Sequence, residues 1–568
     1  MTLKEGNMKS KIILLIAIVL ISATSCEEFL KENPKALYSS GNFFTDEEKL
    51  VSGILGVYNE LRGFYTWEGS AALYLGTDEG CTKWNSGFRF DFDSYSWSTE
   101  SYYLGYFWLN HYTIIMRANL LIKDAPNSGV EEDVVNRIVA EAKFLRALSY
   151  FRLVQLWGPV PILLGGETEE MPREPVGKVY ELIVQDLLDA TQAGILPIEK
   201  SSDQAGRVTH YAAKTLLGRV YLTMASYKKY GTTFEELMGQ AGKSDYGYQA
   251  SVAESSSELY TKAEQVLDDI IKNGPYELLD KYSDNFVIEN KNLNTESIFE
   301  VQFSEENGAG WSKDLGYPCW PPFGTQFTSW SGHTNNKGIP SLTLFYAKNG
   351  DQRLEYNMPS NYIDLWSFNP AERFFIQRDE NAPDPAALYE NMVNDKGNFY
   401  AYCGFGKYRW GPQPFVDHGY AGGESVPTNG LLSRYADVLL MYAEASLEAN
   451  GGPTQAGLDA INEIRNRARG FNIPPSQTPQ FPNLTLSELT LDEIMDERVR
   501  ELCIEHYRKF DLLRTNKLQG AILTRKPTND PYMTGPISIS KTKWLYPIPQ
   551  PEIDVVVDKD KLWQNPGY

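Results

Sequence analysis

The sequence predicts a mostly α-helical protein: a tetratricopeptide-like, right-handed helical array that carries a large loop-rich portion with minor β content. Three observations predict it. The run from Ala140 to Trp157 contains no glycine or proline and is rich in Ala, Leu and Arg, which are strong helix formers. Further stretches of helical length repeat apolar residues at i, i+3, i+4 and i+7 and are separated by short turns. Residues 281–430, in contrast, are dense in Pro, Gly, Asn and aromatic residues, which punctuate chains rather than build long elements.

The segment 140–164 organises the rest. Phe144, Leu145, Leu148, Phe151, Val154 and Leu156 spread around most of a helical barrel, so the helix must be covered on most sides. Ala140, Ala142 and Ala147 leave flat places for a neighbouring helix. Gly158-Pro159-Val160-Pro161 ends it, because glycine permits a left-handed cap and each proline forces its predecessor out of the α region.

In chain order, residues 29–38 read as irregular. Thr45 with Glu48 reads as a capping box that opens a helix to about Leu61. Residues 62–103 read as loop, 107–123 and 134–157 as helices. Helices follow at 179–190, at 211–225 under a Thr209 cap, and at 260–271. His210 reads as a cap-region residue. Residues 297–304 partly alternate and predict a strand. Helix resumes at 434–449 and 458–469, and Thr490 with Glu493 reads as a second capping box, opening one long helix to Arg514. No strict repeat consensus accompanies the paired helices.

At 568 residues the chain can bury a large core, and a helical array can absorb that length as one body. A formal net charge of −21 argues against nucleic acid and anionic lipid headgroups as partners. Five cysteines (Cys26, Cys81, Cys319, Cys403, Cys503) form no C-x-x-C pair and do not cluster with the histidines, which argues against structural zinc. Cys503 reads as buried packing, and a Cys81–Cys319 disulfide is left open.

Met8-Lys9-Ser10-Lys11 is a basic start, and residues 12–21 form an unbroken apolar run. That run is too short for a bilayer, which needs about 20 residues, but it suits a secretory leader. Ser22-Ala23-Thr24-Ser25-Cys26 resembles a bacterial lipobox, with Ala23 where leucine is usual. Residues 1–25 then form a lipoprotein signal peptide and Cys26 the acylated first residue; the plainer reading is an ordinary leader with an incidental cysteine. Stable anchoring needs more than one acyl chain.

The motif A-E-A-x-F-L-R-A-x-x-Y-F-x-L-x-x-x-W-G-x-V-P over 140–161 resembles the most recognisable segment of the SusD/RagB family. R-Y-A-D-V-L-L-M-Y-A-E-A from Arg434, I-N-E-I-R-N-R-A from Ile461, the segment 497–514, Y-P-I-P and the final Q-N-P-G-Y resemble its other signatures, in the right order. Residues 554–558 replace an asparagine common before the last motif, and His506 stands where glycine is frequent. The resemblance implies an N-terminal helical region over 26–280 and a C-terminal region over 281–568, loop-rich and then helical. It implies a surface-exposed, lipid-anchored outer-membrane protein that binds oligosaccharide and serves as the lid of a SusC-like TonB-dependent transporter. Glu27-Glu28 resembles the acidic export signal of the family's hosts.

A sugar ring needs a flat aromatic face and nearby amide or guanidinium groups for its hydroxyls. Trp67, Trp84, Asn85 and Arg89 supply both in the first loop region; Trp311, Trp320 and Trp330, with Gln326 and Asn335, supply them in the second. The family binds ligand on loops from these two regions. A single Trp is equally a loop-packing residue, and Phe107-Trp108 reads as core. Asp78-Glu79, Asp91/Asp93 and Glu305-Glu306 are the carboxylate pairs that a glycosidase would need roughly 5–10 Å apart. Glu497, Arg500, Glu501, Glu505, Arg508 and Asp511 read as ion pairs along and between helices. No catalytic motif appears, so an enzyme is not expected, and no cofactor is called for; a calcium ion steadying a loop is left open. Peptide cargo with the same lid role is the rival reading, and a surface glycoside hydrolase the remote one.

Overall fold

The computed structural model describes residues 43–65, 72–82, 87–167, 169–287, 290, 292, 294–303, 336–338, 351, 353–357, 361–363, 373–375, 407, 429–469, 481–523 and 539–568. Helix α1 (Glu47–Glu60) opens under Asp46, whose backbone is extended and whose side chain accepts the Lys49 N–H at 3.0 Å. The expected Thr45 cap is thus one residue early: the Asp46 carboxylate, not the Thr45 hydroxyl, takes a free N–H of the first turn. The following stretch is less loop-like than the sequence suggests. It contains the 3-10 turn Leu61–Tyr65, strand β1 (Gly80–Thr82) and helix α2 (Phe88–Ser94).

Helix α3 (Tyr102–Asp124) begins at Tyr102 rather than Phe107, and α4 (Glu132–Trp157) is the central helix. The two run antiparallel: Trp108 packs against Trp157 at 5.3 Å between centroids, and Asn119 Oδ1 accepts from Arg146 at 2.7 Å. From Ala140 to Trp157 nearly every α4 side chain is buried, as its all-round apolar pattern requires. Phe107 and Trp108 are core residues, as expected. Gly158 closes α4 at φ +73°, where an added Cβ would also meet Leu545 at 3.2 Å.

The short strands β2 (Val160–Pro161) and β3 (Arg173–Glu174) pair antiparallel. Helix α5 (Val176–Ala190) returns along α4, tied by Arg146 to Asp186 through two bonds of 2.8 and 2.7 Å. Helix α6 (His210–Tyr230) is capped by Thr209, which accepts the Ala212 N–H at 3.2 Å. His210 lies in that first turn with its own N–H on the Pro197 carbonyl, a cap-region residue as expected. Helices α7 (Thr232–Gln240), α8 (Tyr248–Ser251) and α9 (Ser256–Asn273) follow. α9 runs antiparallel to α6, with Tyr211 on the Asn273 carbonyl at one end and Ser226 against Tyr260 at the other. A complete Ser255–Glu258 capping box, visible in the sequence as S-x-x-E, opens it four residues before the expected start at Tyr260.

Strand β4 (Ser297–Val301) meets the expected strand and pairs antiparallel with β8 (Gly430–Arg434). The pairs β1–β5 (Asn336–Gly338) and β6 (Asn361–Ile363)–β7 (Arg373–Phe375), with the short helix α10 (Arg353–Asn357), are the described elements of the loop-rich portion. Arg434, expected in a helix, ends β8, and α11 (Tyr435–Ala449) starts directly after it. α11 lies parallel to α6, since Asp437 pairs with Arg219 and Glu448 accepts from Tyr230 at 2.6 Å. Helix α12 (Gln455–Arg469) precedes the largest departure from expectation. The single helix expected to run to Arg514 is two, α13 (Leu491–Glu501) and α14 (Arg508–Arg514). Thr490 caps α13 through the Glu493 N–H, but Glu493 does not close the box; its carboxylate bonds Arg465 and Arg500 instead. Helices α15 (Leu518–Leu523) and α16 (Gln550–Val555) complete the chain. One continuous apolar core runs from Leu50 to Leu562. Among the described residues no helix is long and apolar enough to cross a membrane.

Candidate functional site

The two regions expected to carry ligand are laced to each other. Strand β1 pairs with β5 in the register Gly80↔Gly338, Cys81↔Lys337 and Thr82↔Asn336. In sequence, Thr82 stands two positions before Trp84, and Asn336 directly follows Asn335. Backbone pairing therefore brings the flanks of the two regions within one strand spacing, about 4.8 Å.

Joined to the root of β1 through Glu79, which accepts the Ile504 N–H, is a buried ionic cluster. Arg434 Nη1 donates to Glu296 at 2.8 Å and to Glu501 at 2.5 Å, and Nε donates to Glu505 at 2.9 Å. Arg467 adds bonds to Glu296 and Glu501, and Arg353 reaches Glu497 and Glu501 at 2.6 Å each. Lys407 Nζ donates to Glu505 at 2.7 Å. All these side chains are buried. Burial alone would push the Glu501 carboxyl up, but Arg467, Arg434 and Arg353 outweigh it and hold it well below the usual range. Burial pulls Lys407 below its ordinary value, partly offset by Glu505. Such a cluster fixes geometry more than it adds net stability, since desolvation offsets much of the attraction. Its members Glu296, Arg353, Lys407, Arg434 and Arg467 were not singled out in the sequence; the signal was a charge placed inside an apolar run, as in Leu-Leu-Ser-Arg-Tyr-Ala.

The break at residues 502–507 sits in this cluster. Ile504 and His506 adopt φ of +55° and +67°. His506 therefore occupies a left-handed position, the conformation that a glycine would hold without steric cost. A second charged group, Arg498 with Asp437 and Asp511, and Arg514 with Glu444 and Asp511, joins α13 and α14 to α6 and α11. The expected ion pairing of Glu497, Arg500, Glu501, Glu505, Arg508 and Asp511 is thus present, and it is buried rather than superficial.

One of the carboxylate pairs is structural. Asp78 is held by Arg508 at 2.8 and 2.6 Å, and Glu79 is buried with Oε1 on the Ile504 N–H at 3.1 Å. Burial pushes the Glu79 carboxyl up to about 8. Asp91 accepts from Ser96 at 3.0 Å, and Glu305-Glu306 lie outside the described residues. Cys503 is buried, as expected, and among the described residues no group of acidic, His or Cys side chains could hold a metal.

Of the expected ligand residues, Trp67, Trp84, Asn85, Trp311, Trp320 and Trp330, with Gln326 and Asn335, lie outside the described residues, as do Cys26, Cys319, Cys403 and the segment 29–38. Arg89 falls in α2, on a short helix rather than a loop, with only its backbone described. Cys81 lies in β1.

A family model described as SusD family matches residues 295–568, and one described as starch-binding, associating with outer membrane, matches residues 28–222. A SusD-like protein of Bacteroides ovatus is 24% identical, over 89% of this chain and 82% of its own length. The crystal structure of a SusD homologue from Bacteroides thetaiotaomicron superimposes with a TM-score of 0.72 at 22% identity, covering 93% of this chain and 98% of that one. Surface glycan-binding protein A from the same species, in complex with laminarihexaose, gives 0.65 at 20% identity, covering 92% of this chain and all of its own. With SusD-family models matching residues 28–222 and 295–568 in order, the chain belongs to the SusD/RagB family.

Proposed function

We propose that the protein captures an oligosaccharide at the outer face of an outer membrane, held there by lipid on Cys26, and delivers it unaltered to a SusC-like TonB-dependent transporter as its lid. The observation that carries the reading is the β1–β5 pairing, which ties the flanks of the two aromatic regions together beside a buried ionic cluster. Aromatic residues in two segments whose flanks are joined suit the apolar faces of sugar rings. Trp67, Trp84, Asn85, Arg89, Trp311, Trp320 and Trp330 are the residues assigned to the ligand. The solved relative that holds laminarihexaose makes β-glucan a first probe. Preference of the ligand for the closed lid would drive closure, with no bond in the ligand changed.

Affinity electrophoresis on laminarin, xyloglucan and starch tests it. Retardation on at least one polymer is expected, weakened in Trp84→Ala and Trp330→Ala, with no release of reducing ends. Unretarded mobility on all, together with binding to a peptide library, transfers the lid role to peptide cargo. Release of reducing ends by the purified protein overturns the reading in favour of a hydrolase. Co-purification with the transporter and loss of membrane retention in Cys26→Ser test the partner and the anchor.

A further inference from the structure

The broken helix and the two aromatic regions complete each other's hydrogen bonds. In an uninterrupted helix the Ile504 N–H would bond the Arg500 carbonyl. Here that N–H goes to Glu79 of the first region at 3.1 Å, and Asn357 of the second region donates to the vacated Arg500 carbonyl at 3.3 Å. The Glu501 carbonyl, also released from helical pairing, accepts from Lys407 Nζ at 3.1 Å, and the Cys503 carbonyl accepts from the same ammonium at 2.8 Å. Arg508, the first residue of α14, grips Asp78 next to Glu79. Left-handed backbone at Ile504, a β-branched residue, persists only where surrounding contacts fix it. Those contacts come from both regions at once.

We propose that the turn at residues 502–507 is the common seat that sets the spacing of the two aromatic regions, with Glu79 and Lys407 as positioning residues for ligand capture. The ligand part rests on the function proposed above; the mechanical part does not. Removing Lys407 takes the ammonium from the Cys503 carbonyl and from Glu505, while the Glu501 carbonyl keeps Arg434 and Tyr282. The turn then relaxes and Glu79 loses its N–H donor, so a change made in the second region reaches the root of the first.

Hydrogen exchange on the whole protein reads this directly. In Lys407→Met the amides of Ile504 and of Gly80–Thr82 are expected to exchange about tenfold faster, with those of α9 unchanged. Glu79→Gln keeps an acceptor for the Ile504 N–H and is expected to exchange as wild type, whereas Glu79→Ala is not, a rescue that loss of packing alone would not give. Unchanged exchange at Gly80–Thr82 in Lys407→Met overturns the proposal. Should Lys407→Met not fold, Glu79→Ala reads the link from the other side: exchange at Asn336–Gly338 and Arg353–Asn357 must rise, and no change there overturns it. With laminarihexaose as probe, affinity is expected to fall about tenfold in Lys407→Met and Glu79→Ala and to be kept in Glu79→Gln. If the wild type binds no glycan, the proposed cargo fails while the exchange result still decides the seat. Faster exchange with unchanged affinity of a binding wild type removes the positioning role.

Discussion

Arg173 Nη2 donates to Asn565 Oδ1 at 2.8 Å, joining residues 392 positions apart. The same guanidinium bonds the carbonyls of Trp157, Pro159 and Trp563 and lies 3.6 Å from the Trp563 ring centroid. Asn565 in turn donates to the Trp157 and Tyr546 carbonyls, and Trp97 donates to Tyr568. The terminal Gln-Asn-Pro-Gly-Tyr therefore locks onto the exit of the central helix, whose Gly-Pro-Val-Pro carbonyls have no helical partners.

Removing either partner strands buried carbonyls. Asn565→Ala is expected to cost about 2–3 kcal/mol, and Arg173→Met, which frees the Pro159 and Trp563 carbonyls, at least as much. Urea unfolding followed by tryptophan fluorescence, with its midpoint compared to wild type, checks both. A midpoint unchanged in Arg173→Met would show that the terminal segment docks by packing alone.

Arg434 faces Glu296, Glu501 and Glu505 together, all buried. Arg434→Met leaves three carboxylates short of a partner, and a loss of about 3–5 kcal/mol is expected. Arg434→Lys is not a rescue, because an ammonium cannot span the positions filled by the guanidinium fork. The exposed pair Lys541–Glu236 is the control: Lys541→Ala is expected to move stability by less than about 0.5 kcal/mol. Thermal unfolding of the three variants side by side measures the contrast.

Two buried groups make stability depend on pH in opposite senses. Burial raises Glu79 from 4.5 to about 8, so between those values the folded state holds a proton that the unfolded chain has released. Its contribution is full below about pH 4.5 and is lost as pH rises toward 8, by up to about 1.4 kcal/mol per unit. Burial lowers Lys509, which bonds the Ala72 carbonyl and Tyr546, from 10.5 to about 7. Above pH 7 the unfolded state then binds the extra proton, and this term makes stability rise. Urea unfolding at pH 5.5, 7.5 and 9.5 checks it. The wild type is expected to lose stability relative to Glu79→Gln mainly between the first two and much less between the last two.

Particular residues show how far the sequence reaches. The central helix was legible because its apolar residues surround the axis and Gly158-Pro159 ends it, both local facts. The break after Glu501 was not, since Leu502 to Tyr507 contain no glycine or proline; the helix stops because Glu79, Asn357 and Lys407, distant in sequence, take its hydrogen bonds. Strand β8 was hidden because Arg434 leads straight into α11, and an apolar run gives no sign of where a strand hands over to a helix. For the candidate site, composition marked the two regions, but their joining by β1–β5 depends on register between segments more than 250 positions apart, which periodicity does not encode.

Two glycines inside helices predict opposite signs. A Cβ on Gly177, in the first turn of α5, would lie 1.9 Å from the Ser251 carbonyl oxygen. Gly177→Ala must push α8 away, at an expected cost of about 2–3 kcal/mol. Gly56, within α1, has no atom within 4 Å of its Cβ position. Gly56→Ala is expected to stabilise by about 0.5–1 kcal/mol through helix propensity and a stiffer unfolded chain. Paired thermal melts decide both.

The start of α1 separates the local reading from the structure in one experiment. Thr45 satisfied the S/T-x-x-E pattern, yet the Lys49 N–H bonds Asp46, and Asp46 also pairs with the Lys49 ammonium at 2.6 Å. An N-cap acceptor contributes about 1 kcal/mol, and a residue one position outside contributes far less. Asp46→Ala is therefore expected to lower stability by about 1 kcal/mol, while Thr45→Ala, whose hydroxyl touches only exposed side chains, changes it by less than about 0.5 kcal/mol. Because Asp46 and the Lys49 ammonium are exposed, added salt weakens their pairing but leaves the N–H bond, so at 0.5 M salt most of the Asp46→Ala deficit should persist. Equal losses in the two variants would restore Thr45 as the cap.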